Sequence, residues 1–118
     1  MAAKDALGRK GEAIAARHLV RSGLTIVERN WRCPQGEIDL VARDRDDLVF
    51  VEVKTRSSVA YGHPLEAITP RKLARLRRLA GAWCLAHPEE HGNVRIDAVA
   101  VVAPRAGQIE VEHLAGVF

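Results

Sequence analysis

The sequence predicts an α/β fold, with a mixed central β-sheet flanked by helices and elements in the order α-β-β-β-α-β-β. Two segments repeat apolar residues at helical spacing, and the segments around them alternate apolar and polar residues as strands do. Of the 118 residues, 47% are hydrophobic and 28% are charged, an ordinary balance for a globular protein. Because this length suffices for one hydrophobic core, we expect a single domain over residues 1–118.

The first two elements follow from composition and from one glycine. We expect a helix from Asp5 to Ser22, because this segment is rich in alanine and Gly23 follows it. Glycine easily takes the left-handed conformation that commonly ends a helix. The segment Leu24 to Trp31, with isoleucine and valine at its centre, is then the first strand.

A β-hairpin is predicted next. Apolar and polar residues alternate from Gly36 to Arg43 and again from Leu48 to Thr55, and the polar sequence RDRDD lies between the two alternating runs. If the turn has an even number of residues, centred between Arg45 and Asp46, the register of the hairpin is determined.

The remaining elements are a second helix and two strands. The Thr69-Pro70 pair marks a helix start, since threonine caps helices well and proline suits the first helical position. Leucines keep helical spacing until the His87-Pro88 pair ends the helix. We expect the last strands over Val94 to Ala103 and Gln108 to Leu114.

Composition narrows the classes of function. No apolar run is long enough to cross a bilayer and the N-terminus lacks a secretory signal, so we expect a cytoplasmic protein that does not span a membrane. Cys33 and Cys84 lack zinc or redox spacing, and His87 and His91 straddle a proline, so a zinc site is not expected. The net charge of +3 mildly favours an anionic partner.

The predicted hairpin brings two carboxylates together. With an even-membered turn, Asp39 faces Glu52 at a Cβ separation of about 4.5 to 5.5 Å, where like charges repel unless a cation lies between them. A divalent metal ion is the simplest such cation. Lys54 follows on the same face as Glu52, and its ammonium suits orienting or deprotonating a water. The alternative interpretation is an exposed cross-strand ion pair.

Glu12 is a third candidate acid. It shares a helical stripe with Gly8, Ala15, Ala16 and Leu19, so it faces the same way as residues that should contact the sheet. Gly8 and Ala16 would let the helix approach the sheet closely, and Glu12 could then reach the metal held by the hairpin. The alternative is a solvated glutamate at the helix edge.

A set of basic residues is a candidate nucleic-acid surface. Four of them lie on the second helix opposite its apolar face, and a fifth extends the lysine-bearing strand. Basic helix faces are often only solvated, but the nearby acids favour contact with phosphates. Aromatic residues are too few to indicate base stacking, so we expect recognition of backbone or shape. The five residues are Arg56, Arg71, Lys72, Arg75 and Arg78.

Four sequence blocks carry a family resemblance: GRKGEAIAARHLVRSG, GEIDLVARDRDDLVFVEVKTRSS, YGHPLEAITPRKLARLRRLAGAWC and RIDAVAVV. They resemble the bacterial YraN family, which is similar to PD-(D/E)XK nucleases of the archaeal Holliday-junction resolvase type. The resemblance implies that Asp39 is the first motif acid, that Glu52 and Lys54 are the second acid and the lysine, and that Glu12 is the helix carboxylate. Glu37 lies near the place where the motif expects proline-aspartate, and its role is open.

The resemblance also implies a restriction-endonuclease-like fold and a function. The expected function is hydrolysis of phosphodiester bonds in DNA, with Mg²⁺ or Mn²⁺ held by Asp39, Glu52 and Glu12. The likeness to resolvases implies selectivity for branched DNA. A homodimer would suit the symmetry of a four-way junction. One alternative is a catalytically inactive nucleic-acid-binding module on the same fold. Another is a scaffold protein whose strand Gln108 to Leu114 pairs with another chain.

Overall fold

The protein is seen here as a computed structural model, which describes residues 3–117. The predicted element order is confirmed, and each predicted boundary lies within two residues of the observed one. A short 3₁₀-helix, which the sequence analysis did not predict, precedes the second α-helix. The elements are α1 (Ala3–Arg21), β1 (Thr25–Cys33), β2 (Gly36–Asp44), β3 (Asp47–Arg56), the 3₁₀-helix (Pro64–Ala67), α2 (Pro70–Ala86), β4 (Asn93–Val102) and β5 (Glu110–Leu114).

The five strands form one mixed sheet, in the order β1-β2-β3-β4-β5. Neighbouring strands are antiparallel except β3 and β4, which are parallel. A parallel pair needs a long crossover connection, and here the 3₁₀-helix and α2 supply it. Thr69 caps α2, since its Oγ1 accepts a hydrogen bond of 3.2 Å from the amide of Lys72.

The two α-helices cover opposite faces of the sheet. On one face, Leu19 and its alanine neighbours in α1 are buried against Val51 and other valines of the central strands. On the other face, Trp83 of α2 meets Phe50 edge to face, with ring centroids 5.6 Å apart. Each helix is therefore apolar on one side, and among residues 3–117 no helix is long and apolar enough to cross a membrane.

The β2–β3 hairpin has the even-membered turn predicted from the sequence. Asp44 pairs with Asp47 across a two-residue loop, and the same register continues to the pair of Leu40 and Val51. Arg45 in the loop has a φ of 55°, the left-handed conformation that tight hairpin turns require. Beyond Leu40 the two strands separate: β2 stays paired with β1, and β3 stays paired with β4. The prediction that Asp39 pairs directly with Glu52 is therefore wrong, because the ladder ends at Leu40 and Val51.

Close approach between α1 and the sheet occurs at a different glycine from the predicted one. The hydrogen that Gly11 carries in place of a side chain faces Thr55 of β3, and a Cβ built there would collide with the threonine side chain. A Cβ built at Gly8 would have no atom of the described structure within 4 Å. The prediction that Gly8 makes the close contact is therefore wrong, because Gly11 is the residue turned toward β3.

One carboxylate is fully buried on the α1 side of the sheet. Asp97 accepts hydrogen bonds from Arg95 Nε at 2.9 Å and from the Gly116 amide at 3.0 Å, and its Oδ2 lies 2.7 Å from His113 Nε2. Burial alone would raise the pKa of Asp97, but the hydrogen bonds from His113, Arg95 and Gly116 together lower it. Asp97 thus attaches β5 and the segment after it to β4.

Candidate functional site

Asp39 lies where β2 and β3 separate. Its Oδ2 accepts a hydrogen bond of 2.9 Å from the Val53 amide of β3. At this point the main chains of β2 and β3 are no longer paired, so the Asp39 side chain replaces a main-chain acceptor. Ile38 and Val41 both belong to the core on the α2 side, whereas Leu40 belongs to the core on the α1 side. A regular strand would place Ile38 and Val41 on opposite faces, so β2 changes face at Asp39.

Asp39 and Glu52 interact electrostatically. Burial and then the charge of Glu52 raise the pKa of Asp39 to about 8, despite the hydrogen bond from Val53. Burial also raises the pKa of Glu52, and the cationic side chains of Lys72, Lys54 and Arg75 oppose that rise. Two partly buried carboxylates therefore lie near one another, each resisting ionisation.

A pocket of about 310 Å³ contains this pair. Its acidic walls come from Asp39, Glu52 and Glu37, and its basic wall comes from Lys72 and Arg75 of α2. Two of the predicted basic residues thus face the acids. The other two on α2, Arg71 and Arg78, are exposed on the helix surface outside this pocket.

A larger groove, of about 860 Å³, lies on the α1 side of the sheet. Glu12 of α1 lines it, as do Lys54 and Arg56 from the end of β3. Glu37 lines both this groove and the pocket of Asp39 and Glu52, so the two spaces meet at that residue. Lys54 therefore lies in the groove while its charge acts on Glu52 in the pocket.

Glu12 finds its partner on β1. Its Oε1 accepts a hydrogen bond of 2.8 Å from Asn30 Nδ2, and its charge raises the pKa of both Asp39 and Glu52. Asn30 has a φ of 52°, a conformation that asparagine tolerates better than most residues. The sequence analysis did not identify Asn30, and its only signal was an asparagine inside a predicted strand.

Glu37, whose role the sequence left open, is paired. Its Oε2 accepts a hydrogen bond of 2.8 Å from Nε of Arg32 on β1. Arg56 differs from Arg32, because its Nε is buried and is the sole buried side-chain nitrogen or oxygen in the described residues without a hydrogen-bond partner. Both arginines line the groove.

The predicted metal ligands are only partly assembled. Within residues 3–117, no three side chains of histidine, cysteine, aspartate or glutamate are grouped closely enough to hold a metal ion. Glu12 lines the groove, apart from the pocket of Asp39 and Glu52. The latter pair still fits Mg²⁺, which is usually bound through one or two carboxylates together with waters and substrate phosphates. A bound cation would also relieve the repulsion that raises the pKa of Asp39.

Comparison with known proteins identifies the family. The model of the uncharacterised protein family UPF0102 matches residues 11–101. A UPF0102 protein of Beutenbergia cavernae is 63% identical over 117 residues, 99% of each chain. Another, from Clavibacter michiganensis subsp. michiganensis, is 59% identical over 112 residues, 95% of each chain. A third, from Frankia alni, is 55% identical over 118 residues, which is 100% of this chain and 98% of the relative. The chain belongs to the UPF0102 family, the YraN family that its sequence blocks indicated.

Proposed function

We propose that this protein hydrolyses phosphodiester bonds of DNA with the help of Mg²⁺ or Mn²⁺. The observation that carries the proposal is the partly buried pair of Asp39 and Glu52, with Lys54 two residues further along β3. Two neighbouring, partly buried carboxylates whose pKa values are both raised favour a divalent cation between them. Oxygen ligands of this kind suit magnesium and manganese.

Each residue has a distinct part in the proposed reaction. Asp39 and Glu52 would hold the metal ion, which when bound polarises a phosphate and lowers the pKa of a water. The hydrogen bond from Val53 keeps the Asp39 carboxylate oriented. Lys54 would orient the attacking water or stabilise charge on the phosphate. Glu12, fixed by Asn30, would support the water from the groove.

The basic residues of α2 and β3 support a polyanionic substrate. Lys72 and Arg75 lie beside the acids, where a phosphate approaching the metal would meet them. Arg71 and Arg78, which lie before and after Lys72 and Arg75 on α2, would contact the DNA backbone on either side, and Arg56 would do so in the groove. Contacts of this kind bind DNA without reading its sequence, and they weaken as salt is added.

The test is cleavage of labelled linear, flapped and four-way-junction DNA with Mg²⁺ or Mn²⁺. We expect the wild type to cut and both Asp39→Asn and Lys54→Ala to lose at least about 100-fold in rate, since each removes one part of the reaction. Lys10→Ala is the matched control, because Lys10 is an exposed lysine of α1 that lines neither space. Cleavage that persists in both variants, or without a metal, would contradict the proposal.

A DNA-binding module without catalysis is the second candidate. It is favoured by the exposed arginines Arg71 and Arg78, which lie on α2 outside the acidic pocket and would contact phosphates without a metal ion. Such a module would bind DNA in a salt-sensitive way and cut none of the three substrates with either metal.

If the substrate is a four-way junction, its symmetry favours a homodimer, which sedimentation of the protein with and without DNA would reveal.

A further inference from the structure

The one tyrosine of the chain is almost fully exposed at the groove. Tyr61 has 94% of its surface accessible, more than any other large hydrophobic residue that the structure describes. It follows β3 in the chain and lines the groove together with Lys54 and Arg56. An aromatic ring left in water beside cations has a flat apolar face free for a ligand.

The chain next to Tyr61 is held by local hydrogen bonds that leave its ring free. Gly62 has a φ of 114°, and its amide donates to the carbonyl of Val59 at 3.0 Å. The His63 amide donates to Glu66 Oε2 at 2.7 Å, while the ring of His63 accepts from the amide of Leu65 at 3.2 Å. These contacts form a capping box at the start of the 3₁₀-helix. The backbone that presents Tyr61 is thus ordered in advance, which lowers the entropic cost of binding.

The surroundings of Tyr61 suit the phosphate and the base of a nucleotide. Arg56 has a buried Nε without a hydrogen-bond partner, and its positive charge lies on the same groove wall as Lys54. Ser57 and Ser58, which follow Arg56 in the chain, add hydroxyl groups to the lining of the same groove. Cations and hydroxyls suit a phosphate, and the tyrosine ring suits the face of a base.

We propose that Tyr61 stacks on an unpaired nucleobase. In an intact duplex, neighbouring base pairs cover both faces of each base, so only single-stranded, frayed or splayed nucleotides offer a free face. The inference rests on the proposed function and specifies its substrate class as DNA with a single-stranded segment beside the cut. It also differs from our sequence-based expectation, in which aromatic residues had no part in recognition.

The first test measures binding without cleavage. Fluorescently labelled oligothymidine is titrated with protein in EDTA, and the affinities of wild type, Tyr61→Ala and Tyr61→Phe are compared by anisotropy. We expect Tyr61→Ala to bind about 5- to 150-fold more weakly, which corresponds to about 1 to 3 kcal/mol per stacked base, and Tyr61→Phe to bind within about 2-fold of wild type. Leu85→Ala is the matched control, because Leu85 is 86% exposed and lies on α2 outside the groove.

An abasic oligonucleotide of the same length separates stacking from charge. Wild type should bind it about as weakly as Tyr61→Ala binds oligothymidine, and Tyr61→Ala should lose nothing further. The inference is overturned if wild type does not bind oligothymidine, if Tyr61→Ala binds it equally well, or if removing the bases has no effect. It is also overturned if Tyr61→Ala changes only the sedimentation of the protein, which would indicate a protein contact. Failure of DNA cleavage with the stacking effect intact would instead count against the proposed hydrolysis alone.

Discussion

Replacing Asp39 with asparagine removes a carboxyl group whose ionisation opposes folding once the pH exceeds its ordinary pKa of 3.8. The pKa of Asp39 is about 8 in the folded protein, against an ordinary value of 3.8. Between these two values the folded state binds more protons than the unfolded state, so the free energy of unfolding falls as the pH rises through this window. Asparagine has the same shape, and its carbonyl can still accept the hydrogen bond from Val53, but it does not titrate.

The size of the effect follows from the rise in pKa. At about 1.4 kcal/mol for each tenfold change in proton affinity, a pKa raised from 3.8 to about 8 would cost at most roughly 5 to 6 kcal/mol once Asp39 is ionised. Glu52 also has a raised pKa, and its protonation would take up part of the repulsion. We therefore expect the free energy of unfolding of Asp39→Asn, relative to that of wild type, to rise by about 2 to 5 kcal/mol as the pH increases from about 4.5 to about 8.5.

Urea unfolding in EDTA, followed by the fluorescence of the two tryptophans, Trp31 and Trp83, measures this difference. The two proteins share every other titrating group, so the pH dependence of the difference comes from residue 39 and the groups that interact with it. A difference that stays constant from about pH 4.5 to about pH 8.5 would refute the reasoning. Mg²⁺ added at the higher pH should stabilise wild type and leave Asp39→Asn nearly unchanged, if the pair holds the ion.

Three further substitutions test the fold, each by urea unfolding. Gly11→Ala should lower the free energy of unfolding by about 1 to 3 kcal/mol, because the new Cβ meets Thr55. Gly8→Ala in the same helix should be neutral or slightly stabilising, and equal effects of the two substitutions would contradict the packing. Arg45→Gly should stabilise the hairpin by about 0.5 to 1 kcal/mol, since it relieves a positive φ, and a loss of stability would contradict that turn geometry. Asp97→Ala should lower the free energy of unfolding by about 3 kcal/mol above pH 3.8 and by less in stronger acid. The reason is that the pKa of Asp97 is lowered in the folded protein, so its ionised form stabilises the fold; a larger loss in acid would contradict this.

The hairpin shows which features of the fold could be predicted from the sequence. The polar turn and the alternating strands were enough to predict the register that the structure has, from the loop at Arg45 to the pair of Leu40 and Val51. They were not enough to predict that the ladder ends there. Beyond that point β2 pairs only with β1 and β3 only with β4. Because β4 follows α2, far along the chain from β3, its pairing leaves no local signal in the sequence of the hairpin.

The candidate site was predicted unevenly for the same reason. Asp39, Glu52 and Lys54 were found because ionisable residues interrupt an apolar pattern, which is visible in the sequence alone. Asn30 and Tyr61 were not, because one asparagine in a strand and one tyrosine after a strand are weak signals, and each gained significance only through its neighbours in space. Gly11 was likewise missed because the rotation of α1 against β3 is set by packing over the whole helix.

The bond between the Val53 amide and Asp39 links the ionisation of one carboxylate to a backbone nucleus. The amide proton of Val53 senses whether its acceptor is charged or neutral, and its NMR resonance should therefore move as Asp39 loses its proton or meets a cation. The Val53 side chain is buried and its amide is held in the hydrogen bond to Asp39, so exchange with solvent should not obscure that signal. The Val53 amide resonance would thus report the charge state of the acidic pocket without a chemical probe attached to the protein.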